Sequence, residues 1–136
     1  MSLTEEQREL LVQLYLGKSD EALVDAEVGR KAERWNFTAN RLYYAMFHAV
    51  TALLVRDGYD VKSHEGAKIN FGKYYVMTNL ATPEEGRFYS QMITLRERAD
   101  YDCVFLADKD TIDERFPQVE RFIHKIRTLI DRKAKS

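Results

Sequence analysis

The stretch Leu42-Tyr43-Tyr44-Ala45-Met46-Phe47-His48-Ala49-Val50-Thr51-Ala52-Leu53-Leu54-Val55 decides the fold. Only His48 and Thr51 interrupt fourteen otherwise apolar residues. A helix that is apolar on nearly every side is buried on nearly every side. The run is shorter than the ~20 residues of a membrane span, and Arg41 and Arg56 flank it. It reads as the central helix of a bundle, capped by Asn36 and ending at Gly58. A bundle this small would leave part of such a helix open, which points to a second subunit.

The flanking sequence repeats apolar spacings of three and four, with little strand-like alternation. A first helix is expected from Leu3 or Thr4 to about Trp35, with Leu10, Leu11, Leu14 and Tyr15 on an apolar face. Ala22, Ala26 and Gly29 continue along one side and would let a neighbouring helix approach closely. Gly17-Lys18-Ser19-Asp20 admits a break with Ser19 as a cap. One long helix is preferred, because glycine costs only ~1 kcal/mol relative to alanine. Ser63 caps a third helix to about Met77. Thr82-Pro83-Glu84-Glu85 combines a capping box with proline at the first helical position, and opens a fourth helix to about Tyr101. Asp110 or Thr111 opens the last, with Phe116, Val119, Phe122, Ile123, Ile126 and Ile130 facing inward and Pro117 near its first turns. The expected architecture is all-α: an up-and-down bundle of about five helices over a single domain, 1–136.

Composition narrows the functional classes. The 136 residues suit one domain, and 21 Lys+Arg against 22 Asp+Glu give a net charge of −1. The overall charge therefore does not advertise nucleic-acid binding, and any anion site must arise locally. One cysteine, Cys103, rules out an internal disulfide and a multi-cysteine zinc site. His48, His64 and His124 form no metal signature, so no structural metal and no cofactor is expected. The polar start MSLTEEQREL is no signal peptide, which favours a cytoplasmic protein off the membrane. Residues Arg121 to Ser136 hold six Lys/Arg and one Asp, and read first as a basic helix end that complements the helix dipole.

Three groups of residues could carry chemistry. Arg41, Tyr44 and His48 share a helix face and could hold a phosphate and move a proton, or form a polar strip closed by internal hydrogen bonds. Lys62-Ser63-His64 lies at a helix start, where backbone N–H groups favour anions, and could equally be a solvated cap. Arg96, Asp100 and Tyr101, with Arg98 and Asp102, end the fourth helix. Their spacing suits intrahelical ion pairs, and also an anion clamp with Tyr101 as a hydroxyl donor.

Taken in order, Asn40-Arg41-Leu42-Tyr43-Tyr44-Ala45-Met46-Phe47-His48-Ala49, Lys62-Ser63-His64-Glu65-Gly66 and Arg96-Glu97-Arg98-Ala99-Asp100-Tyr101 resemble the HEPN superfamily. The likeness is to the small single-domain branch with RxYYAxFHA, KSHxG and RxxADY motifs, and it covers nearly the whole chain. It implies a helical bundle that dimerises around an RNA-binding cleft. It also implies action beside an MNT-type nucleotidyltransferase as a toxin–antitoxin pair, with Tyr101 as a nucleotidylation target. Many members are metal-independent endoribonucleases with an Arg-x4-6-His motif placed at Arg96. Here the positions after four to six intervening residues are Tyr101, Asp102 and Cys103, so that histidine is absent. Arg41-x6-His48 meets the spacing on the central helix, away from the family's catalytic place.

The missing histidine matters because cleavage by the RNA 2′-hydroxyl needs one group to accept a proton and another to donate one. Arginine cannot exchange protons near neutrality, and a tyrosine of ordinary pKa is a poor base. The leading expectation is a dimeric protein that binds RNA, a nucleotide or a nucleotidyltransferase partner. Arg96, Asp100, Tyr101, Arg41, Tyr44, His48, Lys62 and His64 would line its site. The alternatives are a divergent ribonuclease toxin that recruits His48 or His64, and a purely structural interaction module.

Overall fold

Helix caps and apolar periodicity place the elements of the computed structural model, which describes residues 2–132. They are α1 (Glu5–Lys31), α2 (Trp35–Arg56), α3 (His64–Phe71, continued by a π-helical turn over Gly72–Val76), α4 (Pro83–Tyr101) and α5 (Lys109–Asp131). The described residues contain no strand. The all-α bundle of five helices expected from the sequence is what forms. Lys133 and Lys135 of the basic C-terminal run lie outside the described residues.

The start signals act as read at α3 and α4, and α1 has one that the sequence reading did not identify. Thr4 and Gln7 form a reciprocal capping box at α1, and Thr82 and Glu85 form another at α4. Ser63 accepts the Gly66 N–H at the start of α3. Two boundaries differ from expectation. α1 stops at Lys31 because Glu33 turns into the left-handed region at φ 59°, with the Arg34 N–H closing on the Gly29 carbonyl at 2.8 Å. Neither glycine nor proline marks that turn. Asn36 therefore lies inside α2 and caps nothing. Its side chain instead clamps the α4–α5 loop, donating to the Phe105 carbonyl (3.2 Å) and accepting from the Ala107 N–H (2.8 Å). α5 begins earlier than expected, with Asp108 accepting the Thr111 N–H. Pro117 consequently sits two turns in, where its ring removes the donor for the Asp113 carbonyl.

α1 is one unbroken helix, and Ser19 is a core residue rather than a cap. Fully buried, it donates to the Ala45 carbonyl of α2 at 2.7 Å. Gly29 sets the closest approach of the two helices: a Cβ there would meet Phe37 Cδ2 and Thr38 Oγ1, both at 2.7 Å. Contacts at Arg8–Val55, Ser19–Ala45 and Gly29–Thr38 show that α1 and α2 run antiparallel. α4 runs antiparallel to α2 on another side, and α5 returns parallel to α2 behind both, so the topology is up-and-down. Leu42, Tyr43, Ala45, Met46, Ala49, Val50 and Ala52 to Leu54 are each 1% exposed or less. The chain covers α2 on every side but the edge carrying Arg41, Tyr44, Phe47 and His48, which stay half-buried.

Candidate functional site

α2 leaves one edge uncovered by the apolar core, the edge carrying Arg41, Tyr44 and His48. α4 brings Arg96, Asp100 and Tyr101 to it, and the start of α3 brings His64. The centre is Arg96. Its side chain is only 12% exposed. Nη2 donates to the Tyr44 hydroxyl at 3.0 Å, and the guanidinium carbon lies 5.0 Å from the Tyr43 ring, 5.3 Å from Tyr44 and 5.8 Å from Tyr101. Such cation–aromatic contacts favour a desolvated guanidinium. Burial works against the Arg96 charge, but the Tyr44 hydrogen bond and the surrounding tyrosines outweigh it and raise its pKa. Arg96 therefore stays a cation at any ordinary pH.

The i,i+4 pair read from the sequence forms, loosely. Arg96 Nε lies 3.5 Å from Asp100 Oδ2 without a hydrogen bond, and that buried Nε has no partner. Asp100 is held instead by Asn40 Nδ2, at 2.9 and 3.2 Å. Asn40 Oδ1 in turn accepts from Arg41 Nε and Nη2 at 2.9 and 2.7 Å. The Arg41 guanidinium rests 5.0 Å from the Tyr44 ring, so two cations flank one tyrosine. The other expected pair does not form: Arg98 lies over Phe105 at 4.3 Å, and Asp102 accepts the Val104 N–H.

Both histidines reach the cluster. Tyr43 Oη and His64 Nδ1 are 2.7 Å apart, and the His64 ring lies 4.2 Å from Phe47 and 5.5 Å from Tyr44. Burial pushes the Tyr43 hydroxyl up to about 12 against the opposing Arg96 charge. Tyr43 therefore keeps its proton. Burial, then Arg96, holds His64 below the ordinary histidine range. His48 packs against Tyr15 and Tyr44, with its Nδ1 buried and unpartnered. Burial draws its pKa down to about 4, with Lys18, Arg41 and His64 adding to the shift. Both rings are neutral at pH 7. Lys62 is exposed beside His64 and makes no ion pair among the described residues. Tyr101 is 77% exposed, with its ring against Arg96.

The arrangement offers two cations on one tyrosine, a neutral histidine bonded to a phenol, and an exposed phenol at the rim. It can receive a phosphate group on Arg96 and Arg41. Sequence reasoning missed Asn40 and Tyr43 as linking residues. Both stand inside the first motif, but nothing local marks Asn40 as the partner of Asp100 or Tyr43 as the partner of His64. A hollow of about 880 Å³ lies at the far end of the bundle from the Arg96 cluster, between α1, α2, α5 and the π-helical turn. Its arginines are already committed: Arg56 and Arg132 pair with Asp57, and Arg8 donates to the Val55 carbonyl.

Among the described residues no helix is long and apolar enough to cross a membrane. A family model described as HEPN domain matches residues 12–129. A Thermotoga maritima protein named UPF0332 protein is 30% identical over 125 residues, 92% of this chain and 95% of that one. Two Methanocaldococcus jannaschii proteins, each named "Putative toxin", are also similar. One is 30% identical over 108 residues, 79% of this chain and 69% of that protein. The other is 29% identical over 121 residues, 89% of this chain and 84% of that protein.

Proposed function

Because this chain belongs to the HEPN domain family, we propose that it is a toxin-like HEPN protein that binds RNA or a nucleotide through the Arg96 cluster. It acts beside an MNT-type nucleotidyltransferase in a toxin–antitoxin-type pair. The observation that carries the reading is the state of Arg96: a permanent cation, nearly buried, cradled by three tyrosines, with its Nε unsatisfied. No carboxylate lies within hydrogen-bond distance of this cation, and a ligand phosphate would supply a charge-assisted partner at the exposed part of its side chain. Asp100, shared with Asn40, orients the guanidinium without neutralising it at hydrogen-bond distance. Arg41 supplies a second cation, and Tyr101 at the rim supplies a hydroxyl that can donate to a ligand or receive a nucleotidyl group. The toxin names of two relatives support the system to which the protein is assigned.

The test is binding of a labelled single-stranded RNA and of ATP, followed by anisotropy in EDTA, for the native protein and Arg96→Ala. Arg96→Ala should lower affinity about 10- to 100-fold, the worth of one charge-assisted contact. It should also reduce the salt slope of RNA binding by about 0.7. Equal affinity and equal slope would refute the reading.

A second reading, a metal-independent endoribonuclease, rests on His64. Its neutral ring, bonded to Tyr43 beside Arg96, is the histidine the cluster has in place of one after Arg96. With Nδ1–H donating to Tyr43 Oη, Nε2 is free to take the 2′-hydroxyl proton while Arg96 holds the phosphate; the 2′-oxygen bonds to phosphorus, the P–O5′ bond breaks, and the leaving 5′-oxygen takes a proton from water at the exposed rim. RNA cut in EDTA, with His64→Ala and Arg96→Ala both inactive, is the expected result of this reading. Intact RNA after prolonged incubation refutes it and leaves the binding role.

A further inference from the structure

Asp100 stands beside the two cations of the cluster, yet a neutral amide occupies it. It lies one turn after Arg96 on α4, where a direct charge-assisted bond would be shorter and stronger than any bond to a neutral group. That bond does not form. Arg96 Nε stops 3.5 Å from Asp100 Oδ2 without hydrogen bonding to it. Both carboxylate oxygens take Asn40 Nδ2 instead. On its other side the same amide, through Oδ1, accepts both Nε and Nη2 of Arg41. Asn40 thus stands between Asp100 and the second cation as well. A carboxylate only accepts hydrogen bonds, and a guanidinium only donates them. A side chain placed between the two must do both, and a primary amide does so without charge. Its two neighbours fix which way it points. Tyr44, one turn further along α2, completes the arrangement. Its hydroxyl accepts from Arg96 Nη2 at 3.0 Å, and its ring lies 5.0 Å from the Arg41 guanidinium. The hydrogen bonds of both cations therefore go to neutral groups.

We propose that Asn40 is a positioning residue of the cluster: it ties Asp100 to its own amide, so that this carboxylate neutralises neither Arg96 nor Arg41. The inference rests on the reading of the cluster as a phosphate site, and adds that Asp100 competes with the ligand. A phosphate oxygen and a carboxylate oxygen ask for the same donors. Asp100 is held by its own helix within reach of Arg96, so it is the anion that the site has to be kept from binding. Removing the amide frees it to close the 3.5 Å gap to the ~2.8 Å of a charge-assisted bond. Aspartate at position 40 would act in the same direction with the shape preserved. It would accept from Arg41, cancel that charge, and repel Asp100 from α2 toward Arg96.

The test pairs two measurements on the full chain: anisotropy of a labelled single-stranded RNA, and the 15N–1H resonance of Arg96 Nε read without ligand. In Asn40→Ala that resonance should move downfield and its proton should exchange more slowly with water, because Asp100 has become its acceptor. RNA affinity should fall about 10-fold. Asn40→Asp, the isosteric second variant, should change both readings in the same direction. Adding Asp100→Ala to Asn40→Ala should return the resonance toward its native position and tighten RNA binding relative to Asn40→Ala alone. A residue that only shaped α2 would give no such recovery, since a second lost side chain would weaken binding further. An Arg96 resonance unmoved in both Asn40 variants, or a double variant that binds more weakly than Asn40→Ala, would overturn the proposal. Failure of the native protein to bind RNA would instead refute the phosphate-site reading, while the ligand-free resonance would still decide whether Asn40 keeps Asp100 from Arg96.

Discussion

Replacing Gly29 with alanine tests the packing that seats α1 on α2. The new Cβ would lie 2.7 Å from Phe37 Cδ2 and 2.7 Å from Thr38 Oγ1, where ordinary contact begins near 3.4 Å. Phe37 is 48% exposed, so its ring can swing away. Thr38 is fully buried and its hydroxyl donates to the Arg34 carbonyl at 2.9 Å. It moves only by breaking that bond or by forcing the helices apart. Overpacking of this kind costs about 1–3 kcal/mol, a strained or lost hydrogen bond adds about 1 kcal/mol, and the better helix propensity of alanine returns about 1 kcal/mol. The net loss is about 2 kcal/mol. At ~2.1 cal/mol/K per residue, a chain of 136 residues loses about 3–4 °C per kcal/mol. Gly29→Ala should therefore lower Tm by about 7 °C in calorimetry. Adding Thr38→Ala should recover part of the loss, giving a coupling term of opposite sign. Gly17→Ala is the control. Its Cβ meets nothing within 4 Å, so it should raise Tm by about 3 °C. A Gly29→Ala protein as stable as the native one would refute the close approach of the two helices.

Other consequences concern charge. Burial raises the Asp57 pKa, but hydrogen bonds from Arg132, Tyr75 and Arg56 outweigh it and hold the carboxyl below the usual range. A depressed carboxylate pKa contributes stability above the unfolded value of ~3.9 that is lost as pH falls through the folded value. Asp57→Asn should thus lower Tm at pH 7, and the difference should shrink below about pH 4; a gap of constant size would remove the ionic role. His48 should titrate by NMR near the value of about 4 that burial imposes. Its unfolded pKa is ~6.5, so the unfolded chain binds the proton first and stability falls between about pH 6.5 and that lower value. His48→Gln should flatten this limb of a Tm–pH profile, and a His48 midpoint near 6.5 would place the ring in water.

The helices were legible because their determinants are local. Thr82-Pro83-Glu84-Glu85 carries its own cap, and the Leu42 to Val55 run has no solvent-facing side to offer. Where the sequence misled, the deciding interaction was distant. Asn36 reads as a cap, yet α1 ends in a left-handed Glu33 that no local signal marks, and the amide is drawn to Phe105 and Ala107 instead. The preferred unbroken α1 forms, but the partner that buries Ser19, the Ala45 carbonyl, belongs to another helix and no local pattern shows it.

The sequence by itself determined an all-α bundle, its central helix, and the residue types available for a phosphate site at Arg96, Asp100 and Tyr101. Periodicity and caps act over three or four residues, and a single chain shows them directly. Only the tertiary structure decided that Arg96 is nearly buried among Tyr43, Tyr44 and Tyr101, that Asn40 rather than Arg96 holds Asp100, and that His64 meets Tyr43. It also decided that the chain closes over α2 everywhere but at the edge carrying Arg41, Tyr44 and His48. Those pairings join residues 21 to 60 positions apart, and they exist only because burying α2 forces α3 and α4 onto the same edge.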